Sequence, residues 1–343
     1  ILLLAFCQIS TAQVVHENEA AVVYYMPKTE LAIALEYDIV EQEPGVFYQY
    51  AERYLGAKDI IRENTTQYIL THVRVSPQTS ADEQRVYKVT PERGCNTQLL
   101  TLSNDGRLLG YNIGNIHEHT LENPTDQNYA STSAATPLMP LLEEHFMAGS
   151  VAKMAEGAAK QIYHIREMRM NLLAGDVEHT PADGQAMLLV LNELDKREQM
   201  LAALFIGSRK VEKQSHTIHY VPSKDVTERI IGRLSQYAGI VPADDLSGEP
   251  IRLTLAGKRQ EYASTNIQTA KSSKAAIPSQ LYYNLPGTAK VVVEFGKDMR
   301  VSATLPIAQF GVAVPIAKNL LLSKPTPKIH FNTQTGNILS IEQ

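Results

Sequence analysis

Along most of this chain the apolar residues alternate with polar ones, as they do in strands, and in one stretch they recur at steps of three and four. That stretch is Ser150 to Gly207, where Val151, Met154, Ala158, Ile162, Ile165, Met168 and Leu172 line one face of a helix. Lys153, Glu156, Lys160, Glu167 and Asn171 fall off the stripe, Ser150 offers an N-cap hydroxyl, and Gly175 follows the last turn. A second start signal, Thr180-Pro181-Ala182-Asp183, places a cap hydroxyl, a first-turn proline and a carboxylate at the positive end of the dipole. Met187, Leu191, Leu194, Leu201 and Phe205 continue it, broken at Glu198, and Gly207 closes it. Each helix would run roughly 25 residues, about 37 Å at 1.5 Å per residue. The short connection predicts antiparallel neighbours, a helical hairpin whose stripes pack on flanking sheets.

On either side the period is two. Leu31, Ile33 and Leu35 alternate with small alanines, so the first strand, Val22 to Val40, should pack on both faces across Pro27. Glu43-Pro44-Gly45 is a turn, and Phe47 to Leu55 a short helix ended by Gly56. Tyr68 to Val75 predicts a strand with Ile69, Val73 and Val75 on one side and Leu70 on the other. A separate short strand follows at Arg85 to Val89. Asn104-Asp105-Gly106 turns a hairpin within Leu99 to Tyr111. Past the helices, strands are expected at His216 to Val221, Ile251 to Leu255, Tyr282 to Phe295, Val301 to Leu305 and Lys328 to Ile341. Arg229 to Tyr237 fits strand or helix equally. The pattern gives an α+β fold: a β-rich module over 13–135, the helical hairpin over 136–207 and a second β-rich module over 208–343. A Tyr-Tyr pair ahead of a proline and a strand occurs twice, at Tyr24 and at Tyr282, an echo between the two modules.

Residues 1–12, ILLLAFCQISTA, have the apolar core and small residues of a secretory signal peptide, with cleavage expected before Gln13. Export to the periplasm or outer surface is therefore expected. Lipid anchoring through Cys7 is disfavoured by bulky Phe6, and after cleavage Cys95 stands alone, so no internal disulfide can form. A net charge of −5 and a pI near 6.1 argue against a nucleic-acid partner. The mature chain carries no stretch that suggests a transmembrane helix.

Chemistry is sparse. His117 with His119, and His216 with His219, lack a third ligand at recognisable spacing, so no metal site is expected. HExxH, GxSxG, Walker and dinucleotide patterns do not occur, and no cofactor is expected. Asp244-Asp245 fits a solvated turn, and Asn64-Thr65-Thr66 is a glycosylation sequon only in a glycosylating host. The strongest binding candidates are Tyr163, Arg166 and Arg169 on the first helix, where a pair of guanidiniums could grip a carboxylate or phosphate. The alternative is that they dock the hairpin through ion pairs.

Several stretches resemble one family, that of the domain of unknown function 4831, exported Bacteroides-type proteins. They include YYMPKTEL near the start, YAERYLG at Tyr50 to Gly56, and AKQIYHIREMRMNLLAGDVEHTPADG at Ala159 to Gly184. ALFIG at Ala203 to Gly207, LSGEPI at Leu246 to Ile251, LPGTA at Leu285 to Ala289 and the closing FNTQTG complete the set. The resemblance implies an exported protein of Gram-negative gut-type bacteria and brings no catalytic residues with it. A non-enzymatic binding or structural role in the cell envelope is expected, the partner being another envelope protein or a glycan. The alternative is an envelope hydrolase acting on glycan or peptide.

Overall fold

A computed structural model describes residues 21–90, 96–114, 149–177, 183–261 and 280–343. Its axis is a pair of very long antiparallel strands, β1 (Val22–Glu43) and β2 (Thr65–Val89), which pair from Val22 opposite Val89 to Gln42 opposite Thr65. The expected break between Val75 and Arg85 does not occur. Pro77 is tolerated because β2 is the edge of its sheet, where a missing N–H leaves no ladder bond unmade. Pro27 lies on β1 beyond the last pairing with β5, Leu31 opposite Tyr220, and is tolerated for the same reason.

One extra residue changes the face of β2. Glu36 pairs with His72 but Tyr37 with Leu70, so Thr71 is bulged out, and its hydroxyl donates to the Glu36 carbonyl at 2.9 Å. A bulge shifts the side-chain phase by one. Val73 and Val75 therefore share the core with Tyr68 and Leu70, while Ile69, expected beside them, is 44% exposed.

Among the described residues three sheets form, in the orders β2-β1-β5, β10-β9-β8-β6-β7 and β12-β11-β4-β3. The further strands are β3 (Leu100–Leu102), β4 (Leu108–Tyr111), β5 (Ser208–Tyr220), β6 (Val226–Ser235) and β7 (Gly239–Val241). They are followed by β8 (Glu249–Lys258), β9 (Tyr282–Phe295), β10 (Met299–Pro315), β11 (Lys328–Phe331) and β12 (Ile338–Glu342). The fold is α+β and β-rich. The ambiguous Arg229 segment is a strand, and the strands expected at His216 and Val301 are both longer than their apolar runs. Sheet membership crosses the expected boundaries: β1 and β2 take β5 as their third strand, and β3 and β4 join β11 and β12.

The first two sheets enclose the largest core, with Leu31, Ile33 and Leu35 of β1 against Leu253 and Leu255 of β8 and Val291 and Val293 of β9. The opposite parity of β1 serves a second core, in which Tyr24 and Met26 meet Leu108, Tyr111, Ile329 and Phe331 of the third sheet. Where the core changes sides, a buried polar network crosses. β2 carries residues 83–85 as an insertion, and Arg85 bonds Asp82, the Asn284 Oδ1 and the Pro27 carbonyl. β10 carries residues 308–311 as a second insertion. Asn284 Nδ2 donates to the carbonyls of Ala308 and Thr335, and Gln309 brackets Thr29 by accepting from its N–H and donating to its carbonyl. The two tyrosine echoes also meet here: the Tyr24 hydroxyl donates to the Tyr282 carbonyl and accepts from the Tyr282 N–H.

The helices run from Val151 to Ala174 and, after α1 (Ala51–Leu55), are numbered α2 and α3, with α3 spanning Gly184–Ile206. Ser150 caps α2 as its sequence predicts. The cap of α3 is Asp183, whose carboxylate accepts from the Ala186 N–H at 2.7 Å, and Thr180 to Ala182 lie outside the described residues. The stripes do not pack on a sheet. Ala155, Ala158, Ala159, Ile162, Leu201 and Phe205 close on Phe47 and Ala51, in the segment that follows β1. The reason is covalent: the Glu43-Pro44-Gly45 turn delivers Phe47 against α3, where its ring centroid lies 5.5 Å from that of Phe205. A short helix-forming segment with Tyr50, Tyr54 and Leu55 fits helical grooves better than a pleated face does. Beyond Ile165 the burial fades, and Met170, Leu173, Leu188 and Leu189 are exposed.

Asn284 is fully buried with every side-chain bond made to backbone or to Arg85. Asn284→Leu strands two carbonyls and removes one of the three partners of the Arg85 guanidinium, and should lower unfolding stability by roughly 3 kcal/mol, read as a fall in the urea midpoint.

Candidate functional site

The binding candidates on α2 are all engaged within the chain. The Tyr163 hydroxyl donates to the Tyr54 carbonyl at 2.6 Å, tying α2 to α1. The Arg166 guanidinium sits 5.8 Å from the centre of the Tyr163 ring, and its Nε donates to Glu198 at 2.7 Å. Arg169 pairs with Asp195 and, at 2.8 Å, with the second Glu198 oxygen. The partners run in opposite sense along the two helices, Arg166 with Glu198 and Arg169 with Asp195, as antiparallel neighbours require. Glu198, which interrupts the apolar stripe, is the acceptor for both guanidiniums. Burial raises its pKa, but the hydrogen bonds and charges of Arg166 and Arg169 outweigh burial and hold its carboxyl below the usual glutamate range. These three residues join helices, and none lines the cleft at the end of the first sheet.

The histidines are not brought together. His216 and His219 stand three residues apart on β5 and so point to opposite faces; His219 Nδ1 lies 3.7 Å from Glu30. His117, His119 and Cys95 lie outside the described residues. Among the described residues no cluster of three or more His, Cys, Asp or Glu could hold a metal ion. Asp245 accepts from the Ser247 backbone N–H within its own turn, which lowers its pKa.

The open cleft is elsewhere, at the far end of the first sheet. Thr65, Gln42 and Arg209 lie in a row across β2, β1 and β5, and side chains directly opposite one another share a face of the sheet. The Thr65 hydroxyl donates to Gln42 Oε1 at 3.2 Å. Loop residues Asp59, Ile60, Ile61, Arg62 and Glu63 line it together with Ile206 and Gly207, at the end of α3. The loop is tied to the helix by the Ile61 N–H, which donates to the Ile206 carbonyl at 3.0 Å. The concavity is open to solvent and has a volume of about 600 Å³, within the range of small-ligand sites.

Two glycines allow this junction. Gly207 turns with φ +89, and a Cβ there would lie 2.5 Å from the Glu43 carbonyl and 2.8 Å from Ile61. Gly45 lets the chain after β1 run against α3, so that the Phe47 N–H reaches the Leu204 carbonyl at 2.7 Å; a Cβ would stand 2.3 Å from that oxygen. What the cleft displays is charge without partners. None of Asp59, Arg62, Glu63 and Arg209 makes an ion pair or side-chain hydrogen bond with another described residue. Sequence patterns miss the site because its pieces come from three distant stretches. The legible hint is a loop alternating Asp, Ile, Ile, Arg and Glu, too polar for a core and too apolar for a plain linker.

Among the described residues no helix is long and apolar enough to cross a membrane. The chain belongs to the family described as Domain of unknown function (DUF4831), which matches it over residues 20–339. No curated protein and no solved structure matches it.

Because its folded pKa is depressed, Glu198 contributes stability that is present above the unfolded glutamate value of about 4.3 and is lost as pH falls through the folded value. Glu198→Gln should cost about 1–2 kcal/mol near neutral pH. The gap between wild type and variant should close in urea titrations as the pH drops below that range.

Proposed function

We propose that this chain is an exported protein of the cell envelope that binds a partner there without turning it over. Its signal-like leader supports export to the periplasm or outer surface, and the mildly acidic composition supports a partner other than nucleic acid. In this reading α2, α3 and their connection act as one antiparallel hairpin. Arg166, Arg169 and Glu198 stiffen it, and its end forms a wall of the cleft. Tyr163, Arg166 and Arg169 thus support binding by bracing the site.

The observation that carries the reading is the cleft with its four charges that have no partner among the described residues. All four are exposed, so water solvates them in the free protein, and what the cleft contributes is to gather charges of both signs around one concavity. Four left open in one concavity are available for a partner with charges of its own. Its walls are a sheet end, a helix end and a loop pinned to that helix, so the groups are presented by a largely pre-formed surface.

The same cleft supports a second reading. Asp59 and Glu63 both line it, and an envelope hydrolase needs two carboxylates flanking the bond it cuts. Incubation with an insoluble cell-wall polymer containing both glycan and peptide separates the two. The binding reading expects co-sedimentation of the protein, with no soluble fragment by mass spectrometry. Fragments that appear with wild type and disappear with Asp59→Asn or Glu63→Gln would establish hydrolysis instead.

Export is tested on the exported species itself. Mass spectrometry should find an N-terminus at Gln13, and an acylated Cys7 would replace the free species with an anchored one.

A further inference from the structure

We infer that the cleft is a peptide site, and that Arg62 and Arg209 receive the free carboxylate of the peptide chain. The inference rests on the binding reading and names the chemical class of what is bound.

The composition of the lining selects among ligands. A polyanion such as a phosphorylated sugar or a nucleic acid would meet Asp59 and Glu63 beside the two guanidiniums, so attraction and repulsion would largely cancel. A lipid or other apolar ligand would bury four charges with nothing to pair them. A neutral glycan fails on two counts. It has no charge to offer those groups, and the lining contains no aromatic ring on which the C–H face of a sugar could stack.

A peptide with free termini satisfies each feature. Its carboxylate takes charge-assisted, bidentate hydrogen bonds from guanidinium, the strongest that a neutral-pH protein can offer without a metal. Its ammonium group, or a basic side chain, is matched by Asp59 and Glu63. Its amides find a hydroxyl at Thr65 and an amide at Gln42, side by side on adjacent strands. Its apolar side chains find Ile60, Ile61 and Ile206. Zwitterionic charge, amide hydrogen bonding and apolar bulk in one lining match what a peptide offers. The volume of about 600 Å³ takes a few residues and lies in the range of small-ligand sites.

Arg209 stands on β5 just past the end of α3, and Arg62 on the loop, so the two guanidiniums that receive the carboxylate come from different elements of the lining.

Isothermal titration calorimetry on the full mature chain tests this with tetra-alanine, its C-terminal amide, its N-acetyl form and a neutral tetrasaccharide. Tetra-alanine should give saturable heat, and amidation should weaken binding tenfold or more. Arg62→Gln with Arg209→Gln should erase the difference between the free and amidated peptides. Both arginines are unpartnered, and a thermal melt matching wild type confirms that the double variant is folded. Equal binding of free and amidated peptide overturns the carboxylate assignment. Saturable heat from the tetrasaccharide alone overturns the peptide class and leaves the binding reading standing. Shortening of tetra-alanine during the titration overturns binding without turnover and leaves the peptide class standing. Silence with all four probes overturns the peptide site, and retention on the cell-wall polymer then decides the binding reading independently.

Discussion

The ladder between β1 and β2 is the constraint from which the rest follows. Strands of 22 and 25 residues far exceed the usual 5–6 residues or so, and no single core is long enough to cover them. The ribbon therefore serves three cores in turn. Tyr24 and Met26 face the third sheet, Leu31 to Leu35 face the second, and the turn at Gly45 sends Phe47 into the helices. Because neighbouring residues of a strand point to opposite faces, the first two cores lie on opposite sides of the ribbon. One continuous hydrogen-bonded ladder thus fixes the mutual placement of all three.

That arrangement creates a difficulty at the crossing, which the polar network resolves. Between Met26 and Leu31 neither face of β1 is wholly apolar, and backbone carbonyls there are enclosed without a ladder partner on every side. Arg85, Asn284 and Gln309 supply donors to Pro27, Ala308, Thr335, Thr29 and Pro222. Two of the three come from strand irregularities, residues 83–85 and 308–311. The insertions are the means by which a side chain leaves its ladder position and reaches across. A satisfied buried network of this kind is unforgiving of slippage, since a one-residue shift would strand each of these groups. It sets the register of β1 on β2 and of β9 on β10 together.

What could be foreseen from the chain was whatever depends on neighbours in sequence. The period of Ile162, Ile165 and Leu172, the cap at Ser150, the stop at Gly175, and the turn at Gly106 are local, and the fold uses them as expected. The bulge at Thr71 was hidden, because alternation in Tyr68 to Val75 is equally regular with or without a phase shift; the partner strand decides. Pairing of β1 with β5 joins residues nearly two hundred positions apart, and no pattern announces such a contact. The destination of the helical stripes was misjudged for a related reason. A stripe shows that a face is buried without showing against what, and Phe47 and Ala51 are poorly marked as partners. Glu198 was the readable clue to the arginines: a carboxylate set into an apolar stripe, opposite two guanidiniums, implies an internal ion pair.

The contrast between two sets of arginines locates the site better than any motif does. Arg166 and Arg169 have carboxylates of their own chain within bonding distance, so a ligand would have to displace Glu198 from partners that lower its pKa. Among the described residues Arg62 and Arg209 have no such competitor, nor do Asp59 and Glu63. An exposed arginine is ordinary, since hydration satisfies it. Four exposed charges of both signs around one concavity differ from scattered ones in that a single ligand can meet all of them. Here the backbone holds them apart: Arg209 is fixed in the ladder by its pairing with Gln42, and the loop is held off the sheet by the bond from Ile61 to the end of α3. Charges held apart in this way retain their full capacity for a partner that can bridge them.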